Sequence, residues 1–178
     1  DYQASNALLA AGLAIAAGRA RGTLSAEQEA AHVQELIALP GLMAQALTLE
    51  PEIEKLARKL ARARDVLYLG RGTAFPLALE GALKLKEISY IHAEGYASGE
   101  MKHGPIALID EGVPVIVLAP SGPLFEKTVS NMQEVSARGG KVVLISDWEG
   151  IADAGEDCMA VIEMPKVHPL IAPLVYAV

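Results

Sequence analysis

A single cysteine, Cys158, stands in a chain of 178 residues, which excludes an internal disulfide framework and suits a reducing compartment. Read alone, it is a small buried hydrophobe. Aromatic residues make up only 4% of the chain, so a core must be built from aliphatic side chains. Positive charge is also short: 15 Lys and Arg face 22 Asp and Glu, a net charge of −7. That balance argues against a nucleic-acid partner, which calls for a basic patch, but leaves room for a small anion held by local donors. The longest apolar run near the start, Ala7 to Ala17, is too short and too rich in Ala and Gly to span a membrane. No secretory signal is visible, so a cytoplasmic protein without a membrane partner is expected. No Gly-x-Ser-x-Gly elbow supports a serine hydrolase. No set of His, Cys, Asp and Glu has ligand spacing, so no metal is expected, nor any other cofactor. Repeats and low-complexity tracts are missing as well.

What is present is aliphatic bulk, 52% hydrophobic residues in all, ample for a core. Ala4 to Ala20 reads as helix. Ser25 and Gln28 form a capping-box pattern that opens a second helix, expected to end at Pro40-Gly41, with a short helix over Leu42–Leu49 behind it. Glu50-Pro51-Glu52 opens another through about Arg64, acidic first and basic later, as the helix dipole favours. Its Lys and Arg cluster reads as a solvated face. Strands follow at Val66–Leu69, Val113–Ala119, Lys141–Asp147 and Met159–Met164. Helices are expected at Leu124–Arg138 and, as loop or short helix, at Trp148–Asp157. Strands alternating with helices over short connections indicate an α/β fold, a mainly parallel sheet with helices on both faces. The domain reading is a helical linker over residues 1–50 and the sheet domain over 51–178. The chain stops inside the apolar run Leu170–Val178, so both ends are expected to continue in a longer protein.

The stretch from Tyr68 to Asp110 carries the chemistry. Strand Val66–Leu69 leads through Gly70-Arg71-Gly72-Thr73 into a helix. A glycine turn from strand to helix exposes amides that suit a phosphate, which makes Gly72 and Thr73 weak substrate-binding candidates. It equally serves a tight reversal. On the helix, Glu80, Lys84 and Glu87 share one narrow sector, because their spacings are four and three. Leu77, Ala78, Leu79, Ala82, Leu83, Leu85, Ile88 and Tyr90 fill most of the rest. A helix apolar nearly all round is expected to be buried, and buried charge is costly unless paired or facing a pocket. A carboxylate in such a place can be tuned to take a proton from carbon, and a neighbouring Lys can steady an enediolate oxygen. His103, in Lys102-His103-Gly104-Pro105, is a natural proton shuttle for an oxygen. These are the parts of an aldose–ketose isomerase. The plain alternatives are helix ion pairs for Glu80–Lys84–Glu87 and structural or surface roles for His32, His92 and His168.

The run Ala78-Leu79-Glu80-Gly81-Ala82-Leu83-Lys84-Leu85-Lys86-Glu87-Ile88-Ser89-Tyr90-Ile91-His92-Ala93-Glu94, followed by Gly99-Glu100-Met101-Lys102-His103-Gly104-Pro105, resembles the second sugar-isomerase (SIS) domain of the glutamine–fructose-6-phosphate aminotransferases. The resemblance is nearly ungapped from Val66 to Asp147 and extends through Met164–Pro173, while the helical first third matches only in character. It implies a three-layer α/β/α sandwich and a homodimer acting on fructose 6-phosphate to give glucosamine 6-phosphate. It implies that Glu87 moves the proton between C1 and C2, and that Lys84 supports the developing charge. His103 would open the sugar ring, reaching across from the partner subunit. The phosphate clamp of a first SIS domain, a glutaminase domain supplying ammonia, and a tail Lys that forms the imine all lie outside these residues. The isolated chain is therefore expected to be inactive. A stand-alone deaminase or isomerase of amino-sugar or sugar phosphates, or a non-catalytic sugar-phosphate sensor, are the alternatives.

Overall fold

The structure is a computed structural model that describes residues 2–178, with side chains from residue 6 onward. In chain order its elements are α1 (Tyr2–Ala20), α2 (Ala26–Leu47), α3 (Glu50–Leu60), β1 (Asp65–Gly70), α4 (Ala74–Ser89), β2 (His92–Ala97), β3 (Pro114–Leu118), α5 (Phe125–Ala137), β4 (Lys141–Ser146), α6 (Trp148–Ala154), β5 (Ala160–Glu163) and α7 (Ala172–Val175). Two 3₁₀ turns, Ser98–His103 and Pro105–Leu108, join β2 to β3. The chain divides into two units: everything up to Thr48 together with Val167–Val178, and Leu49–Lys166. Among the described residues, no helix is long and apolar enough to cross a membrane.

The first unit is helical. The capping box opens α2: the Gln28 amide donates to Ser25 Oγ at 3.2 Å, and the Ser25 amide donates to Gln28 Oε1 at 2.9 Å. The expected stop at Pro40-Gly41 is not observed, because α2 runs through Pro40 to Leu47 as one helix. An interior proline removes one amide donor and crowds the turn before it, at about 3 kcal/mol. Here Leu39 and Ala46, on either side of Pro40-Gly41, are both buried, and α2 packs on α1 and α7. Tertiary packing overrides the local signal.

The second unit holds a five-stranded, wholly parallel sheet in the order β2-β1-β3-β4-β5. Successive side chains on a strand point to opposite faces. Leu67, Leu69, Val115, Val117, Val142 and Leu144 meet Met101, Ile109, Phe125, Met132 and Val135 on one face, so α5 and the first 3₁₀ turn lie there, with α6 beside them. Tyr68 points the other way, onto Gly81 of α4. The reason is handedness. The step from β1 to β2 runs one way along the sheet and the later steps run the other, and right-handed crossovers then place their connections on opposite faces. The three-layer α/β/α arrangement is as the sequence pattern indicates.

Two glycines separate packing from freedom. A Cβ on Gly70 would lie 2.2 Å from the Ala74 carbonyl oxygen, a backbone atom that cannot yield. A Cβ on Gly41, inside α2, would meet nothing within 4 Å. Gly70→Ala is expected to destabilise by about 3 kcal/mol, lowering the melting temperature of the full-length protein by roughly 5–10 °C. Gly41→Ala is expected to raise it slightly, since alanine suits a helix interior better. Equal melting curves for the two variants would contradict this account of the strand-to-helix turn.

Candidate functional site

Helix α4 starts beyond the carboxyl end of β1 and runs back antiparallel to it. It ends at Tyr90, whose backbone adopts the left-handed conformation (φ 59°). The expectation that α4 is buried all round is corrected here. Only Ala74, Ala78 and Ala82 are buried, forming one thin stripe against the sheet. Leu79, Leu83, Ile88 and Tyr90 are exposed, the last at 96%. Periodicity misled because Phe75, Leu77 and Leu85 are only partly covered, and Leu79, Leu83 and Ile88 are left open, among the described residues.

The charged sector lies on this open side. Lys84 Nζ donates to Glu87 Oε2 at 2.9 Å and stands 3.7 Å from Glu80 Oε1. The hydrogen bond and charge of Glu87, then of Glu80, raise the Lys84 pKa, so the ammonium form is reinforced. The Glu87 side chain is 51% exposed. The chain by itself therefore does not enclose that carboxylate in apolar surroundings. It presents a carboxylate and an ammonium side by side, amid uncovered apolar side chains, which is how half of an enclosed site would look.

His103 ends the turn after β2. Its Nδ1 lies 2.7 Å from Glu100 Oε2. A carboxylate accepts, so the tautomer that satisfies this contact carries its proton on Nδ1, and in the neutral ring that leaves Nε2 as the acceptor. The ring is largely exposed. Gly104, with φ 150°, follows it and Pro105 opens the next turn. Glu87 and His103 are not brought together: one sits on the α4 face of the sheet, the other on a turn packed with α5. No hydrogen bond or ion pair among the described residues joins them.

Gly72 and Thr73 lie at the carboxyl edge of the sheet, where the strand order reverses between β1 and β3, a usual ligand position in such folds. Gly72 has φ 58°, and a Cβ there would touch Leu124 at 2.7 Å, so the turn itself requires glycine. Thr73 makes no side-chain cap bond. The amides of Ala74 and Phe75 already donate to the carbonyls of Arg71 and Gly72. Packing explains this turn; phosphate capture is not needed to account for it.

Other groups fall outside the site. His92 is largely exposed beside Glu94, and His32 meets His168 ring to edge in the helical unit. Cys158 is half-buried, which pushes its thiol pKa up, with Asp157 adding to the shift. A cleft of about 350 Å³ lies between α5 and the α6–β5 connection, lined by Met132, Ser136, Asp157, Cys158 and neighbours, none of them a residue considered above for catalysis. No group of three possible metal ligands forms among the described residues.

Some residues in contact with the His103 turn had no signal of their own in the sequence. Glu100 was visible in the motif but its bond to the imidazole was not. Glu134 and Asn131 sit one helical turn apart on α5 and touch the turn across about 30 residues of chain. Only an i, i+3 spacing links those two, and nothing in that spacing says what they face.

A family model described as "SIS domain" matches residues 59–177. The chain is 64% identical, over 97% of its length, to a glutamine–fructose-6-phosphate aminotransferase [isomerizing] of Zymomonas mobilis, and spans 28% of that protein. It is 80% identical over 126 residues to one of the same description from Sphingobium yanoikuyae, covering 71% of this chain and 81% of that sequence. Among solved structures it is similar to the C-terminal domain of glucosamine-fructose-6-phosphate aminotransferase from Francisella tularensis. That match has a TM-score of 0.89 at 41% identity, over 92% of this chain and 46% of the other.

Proposed function

The chain belongs to the SIS-domain family and, within it, to the glutamine–fructose-6-phosphate aminotransferases, and we propose that it supplies the acid–base half of the isomerase site of such an enzyme. The full-length protein then converts fructose 6-phosphate and glutamine-derived ammonia to glucosamine 6-phosphate. The observation that carries this reading is the salt-bridged row Glu80–Lys84–Glu87, with Lys84 and Glu87 exposed on an uncovered α4 face and Glu80 partly buried beside them. An isolated surface pair would need no apolar surroundings. A half-site awaiting its other wall does.

In this mechanism His103 opens the ring. Its free Nε2 exchanges the proton that the 2-hydroxyl loses and the ring oxygen gains, while Glu100 holds Nδ1–H. Glu87 then takes a proton from C1 and returns it to C2. Lys84, kept charged by its two carboxylate neighbours, steadies the negative charge that builds on the substrate oxygen. The phosphate clamp, the imine-forming Lys and the ammonia source come from other parts of the full-length protein.

The placement of Glu87 and His103 on opposite faces of one sheet favours a homodimer in which each site takes His103 from the neighbouring subunit. A hexose spans less than the thickness of a sheet with a helix on it, on the order of 15 Å. The test is amino-sugar formation by the full-length polypeptide. Glucosamine 6-phosphate should appear from fructose 6-phosphate and glutamine. Sugar-phosphate binding without any amino sugar would point instead to a sensor.

A further inference from the structure

The Ser98–His103 turn is held along its length up to Lys102. Ser98 is fully buried, and its Oγ lies 3.5 Å from Arg71 Nε. Asn131 of α5, with its amide nitrogen given two carbonyl acceptors, donates to Ser98 at 3.1 Å and to Lys127 at 3.0 Å. The Arg71 guanidinium also lies over Gly99, where a Cβ would be 2.5 Å from it, so the end of the arginine would have to shift for any larger residue. Met101 is fully buried in the core. Lys102 Nζ then meets Glu134 Oε1 of α5 at 2.7 Å. Glu134 Oε2 is shut from solvent and has no hydrogen-bond partner, so among the described residues the carboxylate leans on Lys102 alone. His103 comes next, and on its other side Gly104 offers little restraint.

We propose that the Lys102–Glu134 pair is a positioning device that fixes where the backbone delivers the His103 imidazole, so that α5, remote in sequence, sets the geometry of ring opening. This rests on the ring-opening role given to His103 above. Lys102 and Glu134 touch no reacting atom; they act through the peptide that joins Lys102 to His103. Glu100 aims the ring, and the α5 pair places the residue that carries it. Asn131 and Arg71 secure the start of the turn.

The test compares two substrates in the full-length enzyme: fructose 6-phosphate, which is mostly cyclic, and 5-deoxyfructose 6-phosphate, which lacks the hydroxyl needed to close a ring. Lys102→Met and Glu134→Gln are each expected to lower kcat for fructose 6-phosphate about fivefold. KM, and turnover of the open-chain substrate, should stay within about twofold. The double variant should be no worse than either single, since both break one link. Equal loss on both substrates, additive losses, or no loss from Lys102→Met overturns the proposal; the last needs no assumption about folding, because Lys102 is largely exposed. His103→Ala is run beside them. If it slows both substrates alike, the ring-opening reading fails and the positioning role falls with it. If it spares the open-chain substrate while Lys102→Met does not, the positioning role alone is removed.

Discussion

Replacing Glu87 with Gln in the full-length enzyme is expected to lower kcat for glucosamine 6-phosphate formation by about 10³-fold, with fructose 6-phosphate binding retained within about threefold. Glutamine has the size of glutamate, and its amide oxygen can still accept the 2.9 Å hydrogen bond from Lys84. What it loses is basicity, since an amide does not take a proton from carbon at neutral pH. The loss therefore falls on turnover and leaves the substrate's other contacts in place. Hydrogen exchange at C1, followed as loss of label from specifically tritiated fructose 6-phosphate, should stop with it. A variant that keeps more than a tenth of wild-type turnover would remove Glu87 from the mechanism. Lys84 should also become easier to deprotonate in that variant, because Glu87 is the main cause of its raised pKa.

The second large effect is recovery. Glu87→Gln and His103→Ala homodimers are each expected to be nearly inactive. Mixed in equal amounts with subunit exchange, or co-expressed, they should regain about a quarter of wild-type activity, because half the dimers are then mixed and each has one of its two sites intact. In such a dimer, one site combines the Glu87 of the His103→Ala subunit with the His103 of the Glu87→Gln subunit. The other site carries both lesions. Were each site built from a single chain, every site would carry a lesion and no activity would return. This experiment therefore asks directly whether the two faces of the sheet serve different sites.

Several features could be read without coordinates, because they rest on local interactions. The Ser25–Gln28 capping box spans one turn of chain, and it formed as its spacing indicates. Parallel strands alternating with helices follow from short connections and branched aliphatic runs, and the observed sheet is wholly parallel. The Glu80–Lys84–Glu87 contacts are a consequence of i, i+4 and i, i+3 spacing on any helix. Pro40 departs from the local rule because packing of α2 on α1 and α7 decides the outcome there.

Burial could not be read this way. Leucines and isoleucine on α4 have the same side chains whether they meet this sheet or a surface supplied by another part of the protein. Hydropathy records a preference for cover and not what provides it. Ala74, Ala78 and Ala82 lie against the sheet because small side chains let the helix approach closely, and Leu79, Leu83 and Ile88 stay uncovered. Nor could sequence order show that His103 belongs to the α5 face and Glu87 to the other, or that Glu134 would be the residue to meet Lys102. Element type and motif were determined by the chain alone, since neighbours within one turn set them. The partition of the motif between two faces, and the brace behind His103, were decided only by the tertiary structure, since crossover handedness and contacts between distant segments set those.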